Sequence, residues 1–187
     1  MQSTVQPYLA YKITGQPFYL GLIGFAATLP ALLFTLPAGV LIERFNKKKI
    51  VIIMQSIMMM HAFCLAYLAL SGQIKIWHII ILAFIGGCAN SIELIARQSM
   101  LIEMVDKEAL PNAIALNSTI FNAARVLGPS IAAPFLIFLK DSGEGWAFFA
   151  NGISFIFVII MLFIINTKPK FERAENKRGI TEFFEGQ

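Results

Sequence analysis

Long apolar runs alternate with short polar segments along most of the chain. Five of these runs contain at most one charged residue each. Each is about 20 residues or longer, which at roughly 1.5 Å per helical residue is enough to cross the ~30 Å hydrocarbon core of a bilayer. The pattern therefore predicts an all-α protein, a polytopic membrane helix bundle with five transmembrane helices. The predicted spans are residues 18–42, 50–70, 76–96, 113–139 and 146–165.

Small residues within the spans indicate where neighbouring helices can approach closely. Gly21 and Gly24 in the first span are interpreted as ordinary packing positions. Residues 86–91 of the third span are all small or short polar residues. This patch is suited to close contact between helix backbones.

The connecting segments carry most of the positive charge, and this charge predicts the orientation. Residues 39–49 form a short basic loop between the first two spans. The segments on its side of the membrane hold eleven Lys and Arg residues, and those on the other side hold three. Because basic loops are enriched on the cytoplasmic side, this loop and the C-terminus are predicted to be cytoplasmic. The N-terminus is then outside without a signal segment, so we expect a preceding helix of which residues 5–11 are the outer end.

The composition supports a membrane protein and argues against other classes. With 57% hydrophobic residues, 14% charged residues and a mean hydropathy of +0.71, the chain is too apolar for an ordinary soluble domain. Its net charge of +4 resides in loops that flank apolar runs, so no nucleic acid partner is expected. Cys64 and Cys88 lie within spans and are interpreted as packing residues. No metal cluster, nucleophile elbow or P-loop can be assembled, so no enzyme activity, metal or cofactor is expected.

Four polar residues inside or next to the apolar runs are candidate intramembrane polar or coupling groups: Asn90, Glu93, Arg97 and Asn122. Glu93 and Arg97 are four residues apart and can pair on one helix face. This pair is either a structural ion pair at the membrane interface or part of a substrate or ion site. His61 in the second span is interpreted as an interhelical hydrogen-bonding group rather than a proton carrier.

Arg125 lies well inside the fourth span, where inserting an arginine costs ~2.5–3.5 kcal/mol. We therefore expect Arg125 to face the bundle interior, close to Asn122, Gly128 and Pro129 along the same helix. Two interpretations remain open. Arg125 is either a structural partner for a carboxylate on another helix or a direct participant in substrate or proton coupling.

Several segments resemble the amino-terminal half of a major facilitator superfamily transporter. Gly39, Glu43, Arg44 and Lys48 match the basic loop between the second and third helices of that half, with glutamate in place of the usual aspartate. Residues 125–133, which include Arg125, Gly128 and Pro129, resemble the fifth-helix pattern of proton-coupled exporters. Residues 15–24, 96–101 and 110–113 are similar to the branch that contains enterobactin exporters and macrolide efflux proteins.

The resemblance implies a particular architecture. The five spans would correspond to helices 2–6 of a six-helix half, and residues 1–166 would be a partial half that lacks most of its first helix. Residues 167–187 would begin the cytoplasmic central loop. In the family, the basic loop acts as a conformational switch between the two halves, and the fifth-helix motif seals the outward side.

The resemblance also implies a function. The expected activity is proton-coupled efflux of a small amphipathic compound, such as a siderophore, macrolide or drug, by alternating access across the bacterial cytoplasmic (inner) membrane. The expected partners are the substrate, protons, the lipid bilayer and a missing carboxy-terminal half of the transporter. The alternative is a non-transporting membrane fragment or assembly partner.

Overall fold

A computed structural model describes residues 1–43, 45–139 and 142–165, with the side chains at positions 35–41 and 43 outside the description. Every regular element within these ranges is a helix, so the all-α prediction is confirmed. The helices are α1 (Gln2–Thr14), α2 (Phe18–Glu43), α3 (Lys47–Leu70), α4 (Ile76–Met104), α5 (Leu110–Phe138) and α6 (Gly143–Ile164).

Local capping interactions define several helix ends. Gly15 adopts a left-handed conformation with φ of 65° after α1, and its N–H donates to the Tyr11 carbonyl at 2.8 Å. This positive φ suits glycine, which has no Cβ to clash. Asn46 caps α3, where its Oδ1 accepts a hydrogen bond from the Lys49 N–H at 3.1 Å. These local hydrogen bonds fix the end of α1 and the start of α3.

The helices have the length and polarity of membrane spans. α3, α4, α5 and α6 are each long and apolar enough to cross a bilayer, and α2 carries a further apolar segment over Phe18–Phe34. A helix satisfies its backbone hydrogen bonds internally, which a segment in hydrocarbon requires. The chain is therefore a polytopic helix bundle, as predicted.

Four helices have bounds that differ from the predicted spans by three residues or more. α5 begins at Leu110 and α6 at Gly143, three residues early in each case. α4 continues to Met104 rather than ending at Ala96. Arg97 and Glu103 favour this extension, because Arg97 pairs with Glu93 one turn earlier and Glu103 pairs with Lys47 of α3. α3 begins at Lys47 rather than at residue 50, because the Asn46 cap starts the helix before the apolar run.

The core is formed where α2, α3, α4 and α6 pack against one another, with α1 crossing α2 and α6. Gly87 allows a close approach of α2 to α4, since a Cβ there would lie 2.3 Å from the Ala27 carbonyl oxygen. Gly21 and Gly24 differ from expectation, because a Cβ at either position would meet nothing within 4 Å. α5 is peripheral, and most of its side chains are exposed.

Ionic contacts distinguish the two ends of the bundle. At the end that holds residues 45–46 and 105–109, here called the loop end, Lys47 of α3 pairs with Glu103 of α4. At the opposite end, which holds residues 15–17 and 71–75 and is here called the turn end, Lys12 Nζ lies 2.8 Å from Oε1 of the buried Glu144. Both ends are thus tied across helices by charge pairs.

Candidate functional site

A chain of polar side chains links three helices in the middle of the bundle. Asn151 of α6 donates a hydrogen bond from Nδ2 to Gln2 Oε1 of α1 at 3.1 Å. Gln2 Nε2 lies 2.8 Å from His61 Nδ1 of α3, which acts as the acceptor. One turn further along α1, Gln6 Nε2 donates to the Ile79 carbonyl of α4 at 3.0 Å. Such hydrogen bonds between helices are typical of polar groups inside membrane bundles.

The His61 ring has a defined protonation pattern in this network. Since Nδ1 accepts from Gln2, the proton of the neutral ring resides on Nε2. Nε2 is buried and makes no hydrogen bond with a described residue, although the Leu82 carbonyl is close enough to interact with the ring. Gly86 of α4 accommodates the ring, because a Cβ at Gly86 would lie 2.8 Å from His61 Cε1. His61 is thus an interhelical hydrogen-bonding group, as predicted.

A cavity of about 280 Å³ adjoins this network. Helices α1, α2, α3, α4 and α6 all contribute to its wall. The wall combines amide, hydroxyl and imidazole groups with small and apolar side chains, so it can satisfy the polar groups of a guest and still cover its apolar surface. The lining residues are Gln2, Ser3, Gln6, Ala27, Met58, His61, Ala83, Gly86, Gly87, Asn90, Asn151 and Phe155.

The candidate residues on α4 divide between two locations. Asn90 lies on the wall of the polar cavity, whereas Glu93 and Arg97 lie further along the helix towards the loop end. Glu93 is 4% exposed, and its Oε1 accepts from Arg97 Nε at 2.7 Å and from Gln55 Nε2 of α3 at 2.9 Å. The predicted Glu93–Arg97 pair is therefore confirmed as a contact.

This pair forms a compact charged site. Arg97 also donates to Glu93 through Nη2, so two guanidinium donors make charge-assisted hydrogen bonds with the same carboxylate oxygen, Oε1. The Gln55 Oε1 atom is buried and has no hydrogen-bond partner among the described residues. The site thus joins a carboxylate, a guanidinium group and an amide between α3 and α4. It also places a group able to accept a proton inside the bundle.

The candidate loop residues are only partly described. Arg44 and the side chains at Gly39 and Glu43 lie outside the described residues. Lys48 Nζ donates to the Ile165 carbonyl at the end of α6 at 2.5 Å. This contact joins the start of α3 to the end of α6, and a cation at a helix C-terminus interacts favourably with the helix dipole.

The position of Arg125 contradicts its prediction. Its side chain is exposed rather than in the bundle interior, and its guanidinium carbon lies 5.8 Å from the centre of the Phe121 ring. Ala132, which lies on the same face two turns further along α5, is fully buried. Neighbouring helices therefore bury this face of α5 at Ala132 and leave it exposed at Arg125. Asn122 is exposed as well.

Gly128 and Pro129 lie between these two parts of α5. A Cβ at Gly128 would lie 2.8 Å from the Met1 backbone nitrogen, so α5 and α1 approach closely here. Pro129 lies inside the helix without ending it. The three residues of the fifth-helix motif thus do not form one contact site.

Sequence reasoning missed Gln2, Gln6 and Asn151 as site residues. Asn151 offered a signal, an amide side chain within an otherwise apolar stretch, which is costly in hydrocarbon unless it is hydrogen-bonded. Gln2 and Gln6 lie in a more polar stretch and offered no such signal. The signal at Asn151 does not identify the partner. Among the described residues, no group of three or more His, Cys, Asp or Glu side chains could hold a metal ion.

Comparisons with known proteins point to one family. A family model described as transmembrane secretion effector matches residues 1–185. The staphyloferrin A transporter of Staphylococcus aureus is 26% identical over 152 residues, which cover 80% of this chain and 37% of that transporter. The uncharacterized MFS-type transporter YfiS of Bacillus subtilis is 20% identical over 181 residues, which cover 95% of this chain and 42% of YfiS. The chain thus spans about two fifths of the length of these curated relatives. No solved structure matches the chain.

Proposed function

The chain belongs to the transmembrane secretion effectors of the major facilitator superfamily, and from that membership we propose that it forms the amino-terminal half of a proton-coupled exporter. The cargo is a small amphipathic compound such as a siderophore, a macrolide or another drug, moved by alternating access. The relative named staphyloferrin A transporter supports a siderophore among these classes. The proposed setting is the bacterial cytoplasmic membrane, with the loop end and the C-terminus on the cytoplasmic side.

The observation that carries this proposal is the buried Glu93 carboxylate. It lies within α4, a helix long enough to cross a bilayer, and both Arg97 and Gln55 bind it. Ionisable groups inside membrane spans are expensive to bury and commonly serve ion or substrate pathways. Protonation of Glu93 would remove the charge that holds Arg97, so proton entry would change the contact between them. This is the behaviour that a coupling residue requires.

The other polar elements have proposed roles beside this pair. The polar cavity, with Asn90 on its wall, would bind polar groups of the cargo or a chain of water molecules. Gly39, Glu43, Arg44 and Lys48 would bias the two halves between conformations from the loop end. Arg125, Gly128 and Pro129 would act where α5 meets the second half, since the described helices leave the Arg125 side chain exposed.

A second candidate is a membrane fragment or assembly partner without transport activity of its own. The chain spans about two fifths of the length of its curated relatives. Substrate sites of such transporters lie between two repeats near the bilayer midplane. One half by itself could therefore insert in the membrane and still lack a closed substrate site.

One experiment separates the two candidates. Everted membrane vesicles are prepared from cells that make this chain alone and from cells that make it joined to a carboxy-terminal transporter half. We expect vesicles with the joined protein to accumulate a labelled siderophore or macrolide when a proton gradient is imposed, and to lose this uptake when a protonophore is added. We expect the chain alone to insert without transporting. If the joined protein took up none of the tested compounds in response to the proton gradient, proton-coupled export would be contradicted.

The polar cavity can be tested through Asn151. Replacing Asn151 with leucine removes the hydrogen bond to Gln2, and interhelical bonds of this kind stabilise membrane proteins by about 0.6–1.7 kcal/mol. We expect Asn151→Leu to lower the free energy of unfolding by about 1 kcal/mol in mixed micelles. We also expect it to raise the KM for cargo in the joined protein.

Ser154→Ala is the matched control, since Ser154 is exposed on the same helix and bonds only its own helix backbone. Equal KM values for both variants would remove the cavity from the proposed site.

A further inference from the structure

We propose that a groove between α3, α4 and α6 at the loop end binds an anionic phospholipid, with one acyl chain in the groove and the phosphate held by Lys48 and Arg97. This site shares no lining residue with the polar cavity. The inference does not depend on the transport proposal, and its test requires no transport.

The groove has the shape and polarity that a lipid tail requires. Its volume is about 410 Å³, and seven of its eight lining residues are apolar. Phe157 is 62% exposed and Met161 is 57% exposed, so the groove opens on the outside of the bundle. In a membrane this outside surface contacts hydrocarbon. The lining residues are Val51, Arg97, Met100, Phe157, Val158, Met161, Leu162 and Ile165.

One cationic group lies at the end of the groove, and a second lines its wall. Ile165 lines the groove, and its carbonyl accepts a hydrogen bond from Lys48 Nζ at 2.5 Å, which places the ammonium group at the end of the groove. No described carboxylate forms an ion pair with Lys48. Arg97 lines the groove itself and binds Glu93 through Nε and Nη2. Its Nη1 group therefore remains available to a further acceptor.

Charge complementarity selects an anionic phospholipid as the occupant. A phosphate next to an acyl chain matches an apolar groove with an ammonium group at its end and a guanidinium group on its wall, and basic pockets between membrane helices bind such headgroups. The acyl chain of a zwitterionic lipid would fill the groove equally well. Its headgroup, however, would place a second cation beside the protein's ammonium and guanidinium groups. Because the phosphate would approach Arg97 opposite Glu93, the bound lipid would also influence the Glu93–Arg97 pair.

The test uses a fluorescent reporter in the groove of the full chain. Phe157→Trp is introduced together with Trp77→Phe and Trp146→Phe, so that the reporter is the single tryptophan. The protein is placed in phosphatidylcholine vesicles that contain a fixed minor fraction of either brominated phosphatidylglycerol or brominated phosphatidylcholine. Since Glu93 already neutralises Arg97, Lys48 supplies the net positive charge. We therefore expect brominated phosphatidylglycerol to quench as if enriched about fivefold at the groove, the factor for one basic residue near an anionic membrane.

Variants show whether the cation is responsible. Lys48→Gln in the reporter background should reduce the enrichment about fivefold, whereas Lys75→Gln, an exposed lysine at the turn end, should leave it unchanged. Native mass spectrometry of the chain with Phe157 retained, and of its Lys48→Gln variant, measures retained lipid independently of the reporter. Equal quenching by the two brominated lipids would overturn the proposal. The proposal would also be overturned if the Lys48→Gln variant kept its preference for phosphatidylglycerol in both measurements.

Discussion

Replacing Gly87 with alanine is expected to destabilise the bundle by about 3 kcal/mol, the upper part of the usual range for overpacking a core. The added Cβ would lie 2.3 Å from the Ala27 carbonyl oxygen and 2.9 Å from its carbonyl carbon. Both atoms belong to the backbone of α2, so no side-chain rotation can relieve the contact. α2 and α4 would have to separate along the interface that brings them close together. The free energy of unfolding in mixed micelles measures this effect.

Gly24→Ala is the matched control for this prediction. Gly24 lies on α2 one turn before Ala27, and a Cβ there would meet nothing within 4 Å. Alanine also favours a helix over glycine by roughly 1 kcal/mol, so this variant should be neutral or slightly more stable. If Gly87→Ala and Gly24→Ala had similar free energies of unfolding, α2 and α4 would not be in close contact at Gly87.

Replacing Arg97 with leucine is expected to destabilise the protein by about 3 kcal/mol and to abolish proton-dependent transport in the joined protein. Removal of one member of a buried ion pair commonly costs about 3–5 kcal/mol, because the other charge is left unpaired. The lower end applies here, since the Arg97 side chain is 38% exposed, whereas that of Glu93 is 5% exposed. Unfolding in mixed micelles and gradient-driven uptake by everted vesicles measure the two effects.

A double variant separates a structural role from a coupling role. Arg97→Leu combined with Glu93→Gln removes both charges, and the glutamine can keep its hydrogen bond with Gln55. Most of the lost stability should return, because no unpaired charge is left in the bundle. Transport should remain absent, because the group that accepts the proton is gone. Restored transport together with restored stability would show that the pair is only structural.

Local patterns in the sequence were sufficient for many features of the structure. The turn at Gly15 follows from a residue type that interrupts a helix. The Glu93–Arg97 contact was predictable because residues four apart on a helix are neighbours. The small-residue patch at 86–91 contains Gly87, where α2 and α4 approach closely.

Contacts between distant segments were not accessible in this way. Gln2 and His61 are 59 residues apart, and Asn151 and Gln2 are 149 residues apart. The Asn151 amide could be recognised as unusual in an apolar stretch, but many polar groups on other helices were equally possible partners. The contact of Lys48 with the Ile165 carbonyl could not be predicted either, because every residue type carries that carbonyl.

The sequence by itself determined the class of protein, the approximate spans and the contacts within one helix, because hydropathy and helical spacing act over one element at a time. Only the tertiary structure decided which helix faces are covered. In a bilayer, lipid-facing side chains are as apolar as core side chains, so hydrophobicity does not distinguish the two. Ala132 and Arg125 show this most directly: they share one face of α5, but neighbouring helices bury only Ala132. Tertiary packing alone also assembled Gln2, His61 and Asn151 into one network and brought Lys48 to the end of the apolar groove.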